Sequence, residues 1–117
     1  MNMIRINDVL DNISAYNPGA DVELIKKAYV FAAKMHQGQT RRSGEPYLIH
    51  PIEVANILTK FHLDVPSVTA ALLHDTVEDT VTTLEEIEEH FGAEVRNLVD
   101  GVTKLSKIRF TTSEEKQ

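Results

Sequence analysis

The chain has 117 residues, 42% hydrophobic and 26% charged, enough for one domain with a core of its own. It contains no cysteine, which excludes disulfides and thiolate metal sites. Eighteen acidic against twelve basic residues leave a net charge of −6, which argues against general nucleic-acid binding but not against a small phosphorylated ligand.

No apolar run approaches the length of a membrane span, and the amino terminus lacks the basic-then-apolar layout of a signal peptide. A cytoplasmic protein with no membrane association is expected.

Residues 4–16 read as a first helix, with Ile4, Val9, Leu10, Ile13 and Tyr16 on its apolar side, stopped by Asn17-Pro18-Gly19. Asp21 is a good N-cap for a second helix from Val22 to about His36, whose expected buried stripe is Leu24, Ala28, Phe31, Ala32 and Met35. Lys26, Lys27 and Lys34 read as its solvated face. Gln37 to Pro46 is a polar loop with two glycines, a proline and the adjacent Arg41 and Arg42. Guanidinium groups suit phosphate pairing and base stacking, although an ordinary exposed basic loop has the same composition.

A third helix opens around Tyr47-Leu48-Ile49-His50-Pro51 and runs to about Phe61, with Ile52, Val54, Ala55, Ile57 and Leu58 making it strongly apolar. His50 stands at its start, placed to aim a ligand inward or to serve as a capping or core histidine. His36, His62 and His90 have no comparable setting and read as non-ligands.

Pro66 suits the first turn of a fourth helix, which carries the apolar run Val68 to Leu73 and ends in His74-Asp75-Thr76-Val77-Glu78-Asp79. At about 100° per residue, His74, Asp75, Glu78 and Asp79 fall within roughly 140° of one another, with Ala70, Leu73 and Val77 on the other flank. Three carboxylates and an imidazole on one face need a cation, a substrate or water. Thr83 with Glu86 forms a capping box for a short acidic helix, Leu84 to about His90. Gly92 punctuates, and a further helix runs from Ala93 to about Lys107 around Val95, Leu98, Val99, Val102 and Leu105, with Gly101 a weak point. Thr112 and Glu115 have the layout of one more helix start just before the chain stops, which suggests a longer natural protein. No strand alternation is present, so an all-α architecture is expected.

Taken together, Arg41-Arg42-Ser43-Gly44-Glu45-Pro46-Tyr47, His50-Pro51, Leu73 to Thr80, and Val99-Asp100-Gly101-Val102-Thr103-Lys104-Leu105 closely resemble the hydrolase domain of the RelA/SpoT family. Those enzymes control the stringent-response alarmone (p)ppGpp, and the domain is of the HD phosphohydrolase type. The resemblance implies a manganese ion held by His50, His74 and Asp75, and an attacking water positioned or deprotonated by Glu78 and Asp79. It further implies Arg41 stacked on guanine, with Arg42 and Ser43 near the phosphates. The implied reaction removes the 3′-pyrophosphate of ppGpp or pppGpp, leaving GDP or GTP.

The family pattern also has a later metal-binding aspartate in an Asp-Arg-Leu-His-Asn-type motif. This chain holds no such motif, and Asp100 does not match it. Residues 1–117 are therefore expected to be a partial HD hydrolase domain, an all-α helical bundle truncated at its C-terminal end. Weakened or absent activity is expected, with self-association through apolar surface. Two alternatives stand beside this reading: another HD-family nucleotide phosphohydrolase, and a nucleotide-binding regulatory module with a hydrolytically silent site.

Overall fold

The computed structural model describes residues 5–37 and 48–115, with side chains described as far as residue 104. Six helices follow one another: α1 (Ile6–Tyr16), α2 (Val22–Met35), α3 (Ile49–Lys60), α4 (Val65–Asp79), α5 (Leu84–Phe91) and α6 (Ala93–Glu115). No strand occurs among the described residues, and the fold is all-α. None of the described helices is long and apolar enough to cross a membrane.

The centre of the bundle is α4, which packs against α2, α3 and α6. Its sequence explains that position. Val65, Val68, Thr69, Ala70, Ala71, Leu72, Leu73 and Thr76 are all buried, so the helix is covered on nearly every side. The buried Thr69 hydroxyl donates to the Val65 carbonyl at 2.7 Å, which removes the penalty of an unpaired polar group. Asp64 starts the helix by accepting from the Ser67 amide at 3.0 Å, with Pro66 in the first turn as its spacing predicts.

Around α4 the core takes Val9, Leu10 and Ile13 from α1, Ile25 and Ala28 from α2, and Ile52 and Ala55 from α3, with Ile87 and Phe91 from α5 and Val95 and Val99 from α6. On α2 Ile25 is fully buried together with the expected Ala28 and Ala32, although the expected stripe omits it, while Leu24 and Phe31 are only partly covered. On α3, Ile57 is 50% exposed and the polar Asn56 and Thr59 are buried in its place. Asn56 accepts from the Asn12 side chain of α1 at 2.7 Å, and Thr59 donates to the Asn56 carbonyl at 2.6 Å. Lys26 and Lys34 are exposed, but Lys27 reaches across to donate to the His90 carbonyl at 2.6 Å.

The ends of the helices follow elementary chemistry. Asp21 accepts from Leu24 at 3.2 Å, and Thr83 and Glu86 form the expected capping box. Gly92, at φ +95°, supplies the positive dihedral that closes α5. The C-terminus of α3 uses His62 at φ +58° instead of glycine. There the Leu63 amide bonds the Leu58 carbonyl at 3.2 Å and the His62 amide bonds the Thr59 carbonyl at 3.0 Å. Stacking of the His62 ring on Tyr16, with centroids 4.4 Å apart, offsets part of the backbone strain.

Thr112 does not begin a new helix, because α6 continues unbroken from Ala93 through Gly101 to Glu115. A capping box needs an extended residue at the cap, and a Thr-x-x-Glu pattern is also compatible with a helix interior, where threonine costs only a few tenths of a kcal/mol, roughly.

Candidate metal centre

The turn at residues 61–64 folds α3 and α4 into an antiparallel hairpin, which sets the first turn of α3 beside the last turns of α4. This brings His50 to His74 and Asp75 from 24 residues away in sequence. One ligand atom from each of the three lies within 4.8 Å of the others. That spread is close to twice a metal–ligand bond of about 2.1 Å, and two imidazoles with a carboxylate suit a hard or borderline divalent ion.

The protonation pattern sharpens the point. His74 Nδ1 lies 2.9 Å from the Ala71 carbonyl, an acceptor only, so Nδ1 carries a proton and donates it. In the neutral ring Nε2 is then a lone pair, yet it faces Asp75 Oδ1 at 3.0 Å. Two acceptors in contact require a positive charge between them. In the ion-free protein a proton supplies it, and a metal ion is the alternative.

Burial opposes a charge on His74, but the hydrogen bond and charge of Asp75, the Ala71 carbonyl and the charge of Glu78 outweigh it and raise its pKa above 6.5. Burial likewise disfavours the Asp75 carboxylate. The His74 hydrogen bond and charge, with His50 and His36 beyond, still hold its pKa below 3.8. The two side chains keep 12% and 14% of their exposure, withdrawn from bulk water but reachable from one side.

Glu78 and Asp79 are exposed in the last turn of α4, Glu78 one turn beyond His74. Asp75, Glu78 and Asp79 crowd the negative end of the helix dipole, with no basic residue in the last turn. A cation shared among them would relieve their mutual repulsion. On its other side His74 borders an apolar groove of about 270 Å³ lined by Val54, Leu58, Ala70, Ala71, Leu98 and Val102. That wall explains the desolvation of the imidazole.

Arg41, Arg42 and Ser43 lie outside the described residues. The residue that sequence reasoning passed over is His36. It is buried against α4, with Nε2 3.3 Å from Thr76 Oγ1. Its only signal in the sequence is its position at the end of α2, just before the polar loop. Among the described residues, neither His62 nor His90 joins the cluster of metal-competent groups.

Residues 28–117 match the HD domain family. The chain is 59% identical over 108 residues to a GTP pyrophosphokinase of Myxococcus xanthus, covering 90% of this chain and 14% of that protein. It is 47% identical over 106 residues to the GTP pyrophosphokinase rsh of Brucella melitensis biotype 1, covering 91% and 14%. It is 44% identical over 115 residues to a guanosine-3′,5′-bis(diphosphate) 3′-pyrophosphohydrolase of Vibrio cholerae serotype O1, covering 98% and 16%. The chain thus spans about one-seventh of the length of the curated relatives it matches.

Proposed function

We propose, from the premise that this chain belongs to the HD-domain family, that it is the partial hydrolase domain of a longer RelA/SpoT-type enzyme. Its site hydrolyses the 3′-pyrophosphate of ppGpp or pppGpp to give pyrophosphate and GDP or GTP. The observation that carries this reading is the convergence of His50, His74 and Asp75 within 4.8 Å, with His74 Nε2 facing the Asp75 carboxylate at 3.0 Å. The Vibrio cholerae relative bears the name of this reaction.

In this reading His50, His74 and Asp75 hold Mn²⁺. A bound divalent ion lowers the pKa of water, polarises phosphoryl oxygen and offsets substrate charge. The remaining work belongs to side chains. Glu78 and Asp79, exposed beside the ligands, orient the attacking water and take its proton. Arg41 stacks on the guanine, and Arg42 and Ser43 meet the phosphates, where a bidentate guanidinium is better suited than an ammonium. The α4 carboxylates alone would repel a polyanion, so substrate binding is expected to require the ion.

The test incubates this chain, and a polypeptide extended to the length of the relatives, with ppGpp and Mn²⁺ and measures pyrophosphate release. Release by the longer polypeptide, reduced about 10²- to 10⁴-fold by Glu78→Gln or Asp79→Asn, is the expected result. A longer polypeptide that binds Mn²⁺ and releases none overturns the hydrolase reading.

The relatives named GTP pyrophosphokinase favour a second reading. There the parent protein chiefly transfers pyrophosphate to GTP, and this domain binds nucleotide as a regulatory module without turning it over. Saturable ppGpp binding with no pyrophosphate release distinguishes that case.

A further inference from the structure

The residue that ends α2 is turned inward. The backbone of His36 already closes that helix, its amide bonding the Ala32 carbonyl at 3.0 Å, so the ring is not needed as a cap. The residue is only 4% exposed, and Nε2 meets the hydroxyl of the fully buried Thr76 of α4 at 3.3 Å. Thr76 sits at the head of a polar string. Its carbonyl accepts from the Thr80 amide at 3.1 Å and from the Thr80 hydroxyl at 2.5 Å. The Thr80 hydroxyl in turn lies 2.8 Å from that of the buried Thr82. A buried imidazole is tolerated only where it is hydrogen-bonded, and a satisfied buried network fixes the geometry of every member.

The segment held this way is the last turn of α4, with Asp75 immediately before Thr76 and Glu78 and Asp79 two and three residues after it. We infer that His36 is a positioning residue: by anchoring Thr76 it fixes the C-terminal turn of α4, and so the directions in which Asp75, Glu78 and Asp79 project. What that geometry serves rests on the proposed function, whereas the anchoring is a property of the ion-free fold. His36 touches neither ion nor substrate in this account.

Three variants test it. His36→Phe keeps a ring and removes its nitrogens, His36→Gln returns an amide near the position of Nε2, and Thr76→Val removes the hydroxyl at constant shape. Amide hydrogen exchange is measured on the metal-free protein, and Mn²⁺ affinity by calorimetry. In His36→Phe and Thr76→Val, exchange of the amides at 77–80 is expected to quicken by roughly tenfold, as for loss of one anchoring hydrogen bond, with those of α5 unchanged. Mn²⁺ affinity is expected to fall about 10- to 100-fold, the usual effect of losing a partner behind the ligands, and His36→Gln to restore most of both. Wild-type exchange at 77–80 in folded His36→Phe overturns the inference. If that variant does not fold, wild-type exchange in Thr76→Val does so instead. Should the wild-type chain bind no Mn²⁺, the metal reading fails, and the exchange data still decide on His36.

Discussion

His74 and Asp75, adjacent in sequence, face each other across 3.0 Å with Nε2 against Oδ1, while Nδ1 is committed to the Ala71 carbonyl. Neighbours on a helix point about 100° apart, so this contact is a consequence of both side chains turning toward one point. The charge that must sit between them makes the site sensitive to pH. His74 has a folded pKa above its ordinary 6.5, so its stabilisation is complete below that value and is lost as pH rises through the raised one. Asp75 has a folded pKa below its ordinary 3.8, so its stabilisation is present above that value and is lost as pH falls through the lowered one. These are two ends of one interaction. The metal-free protein is expected to owe most to the pair between pH 3.8 and 6.5. Melting curves in EDTA for wild type and Asp75→Asn check it: the gap between them should be widest in that window. A gap that widens steadily toward alkaline pH would refute the assignment.

In the proposed reading Mn²⁺ would compete with the same proton, which gives the opposite trend. Stabilisation by added Mn²⁺ is expected to grow as pH rises through the raised His74 value and to vanish well below it. His50→Ala and Asp75→Ala should each abolish the Mn²⁺-induced rise in Tm at neutral pH, whereas Glu78→Gln should retain it. Equal responses in all three variants would mean that the ion binds elsewhere.

Much of this arrangement is legible in the chain, for reasons that particular residues make plain. Asn17-Pro18-Gly19, Asp21 and the Thr83–Glu86 box act through neighbours three or four residues away, so the elements they bound can be read locally. Asn56 cannot be read that way: it is buried because Asn12, 44 residues distant, satisfies it. Ile57 is half exposed because the described residues cover its side of α3 only in part, and periodicity alone does not reveal which flank is covered. The His74–Asp75 face shows in helical spacing, but the approach of His50 depends on the α3–α4 hairpin, and the family resemblance rather than the pattern anticipates it. His36 was out of reach, since its importance lies in a contact with Thr76, 40 residues on.

The core behind the ligands should be intolerant of voids. Leu72 is completely buried one turn before the acidic cluster. Leu72→Ala is expected to cost about 3 kcal/mol through lost transfer energy and the cavity left behind. At roughly 4 °C per kcal/mol for a domain of this size, Tm falls by about 12 °C. Chemical denaturation with an unchanged m-value checks that the loss is one of stability rather than of two-state behaviour.

Asp64 offers a milder perturbation at the far end of the same helix. Its carboxylate accepts from the Ser67 amide at 3.0 Å, one of the donors that the first turn of α4 leaves without a helical partner. Asparagine supplies an equivalent side-chain oxygen and alanine supplies none. Asp64→Ala is therefore expected to lower stability by about 1 kcal/mol and Asp64→Asn to leave it nearly unchanged. The Asp64 charge is also the lesser of two causes, after burial, that raise the pKa of Tyr16, so in Asp64→Asn that pKa is expected to move back only in part toward 10.0. Urea denaturation and a spectrophotometric tyrosine titration of the two variants read the effects separately. If Asp64→Asn were as destabilised as Asp64→Ala, the carboxylate would be acting through its charge rather than as a hydrogen-bonding cap.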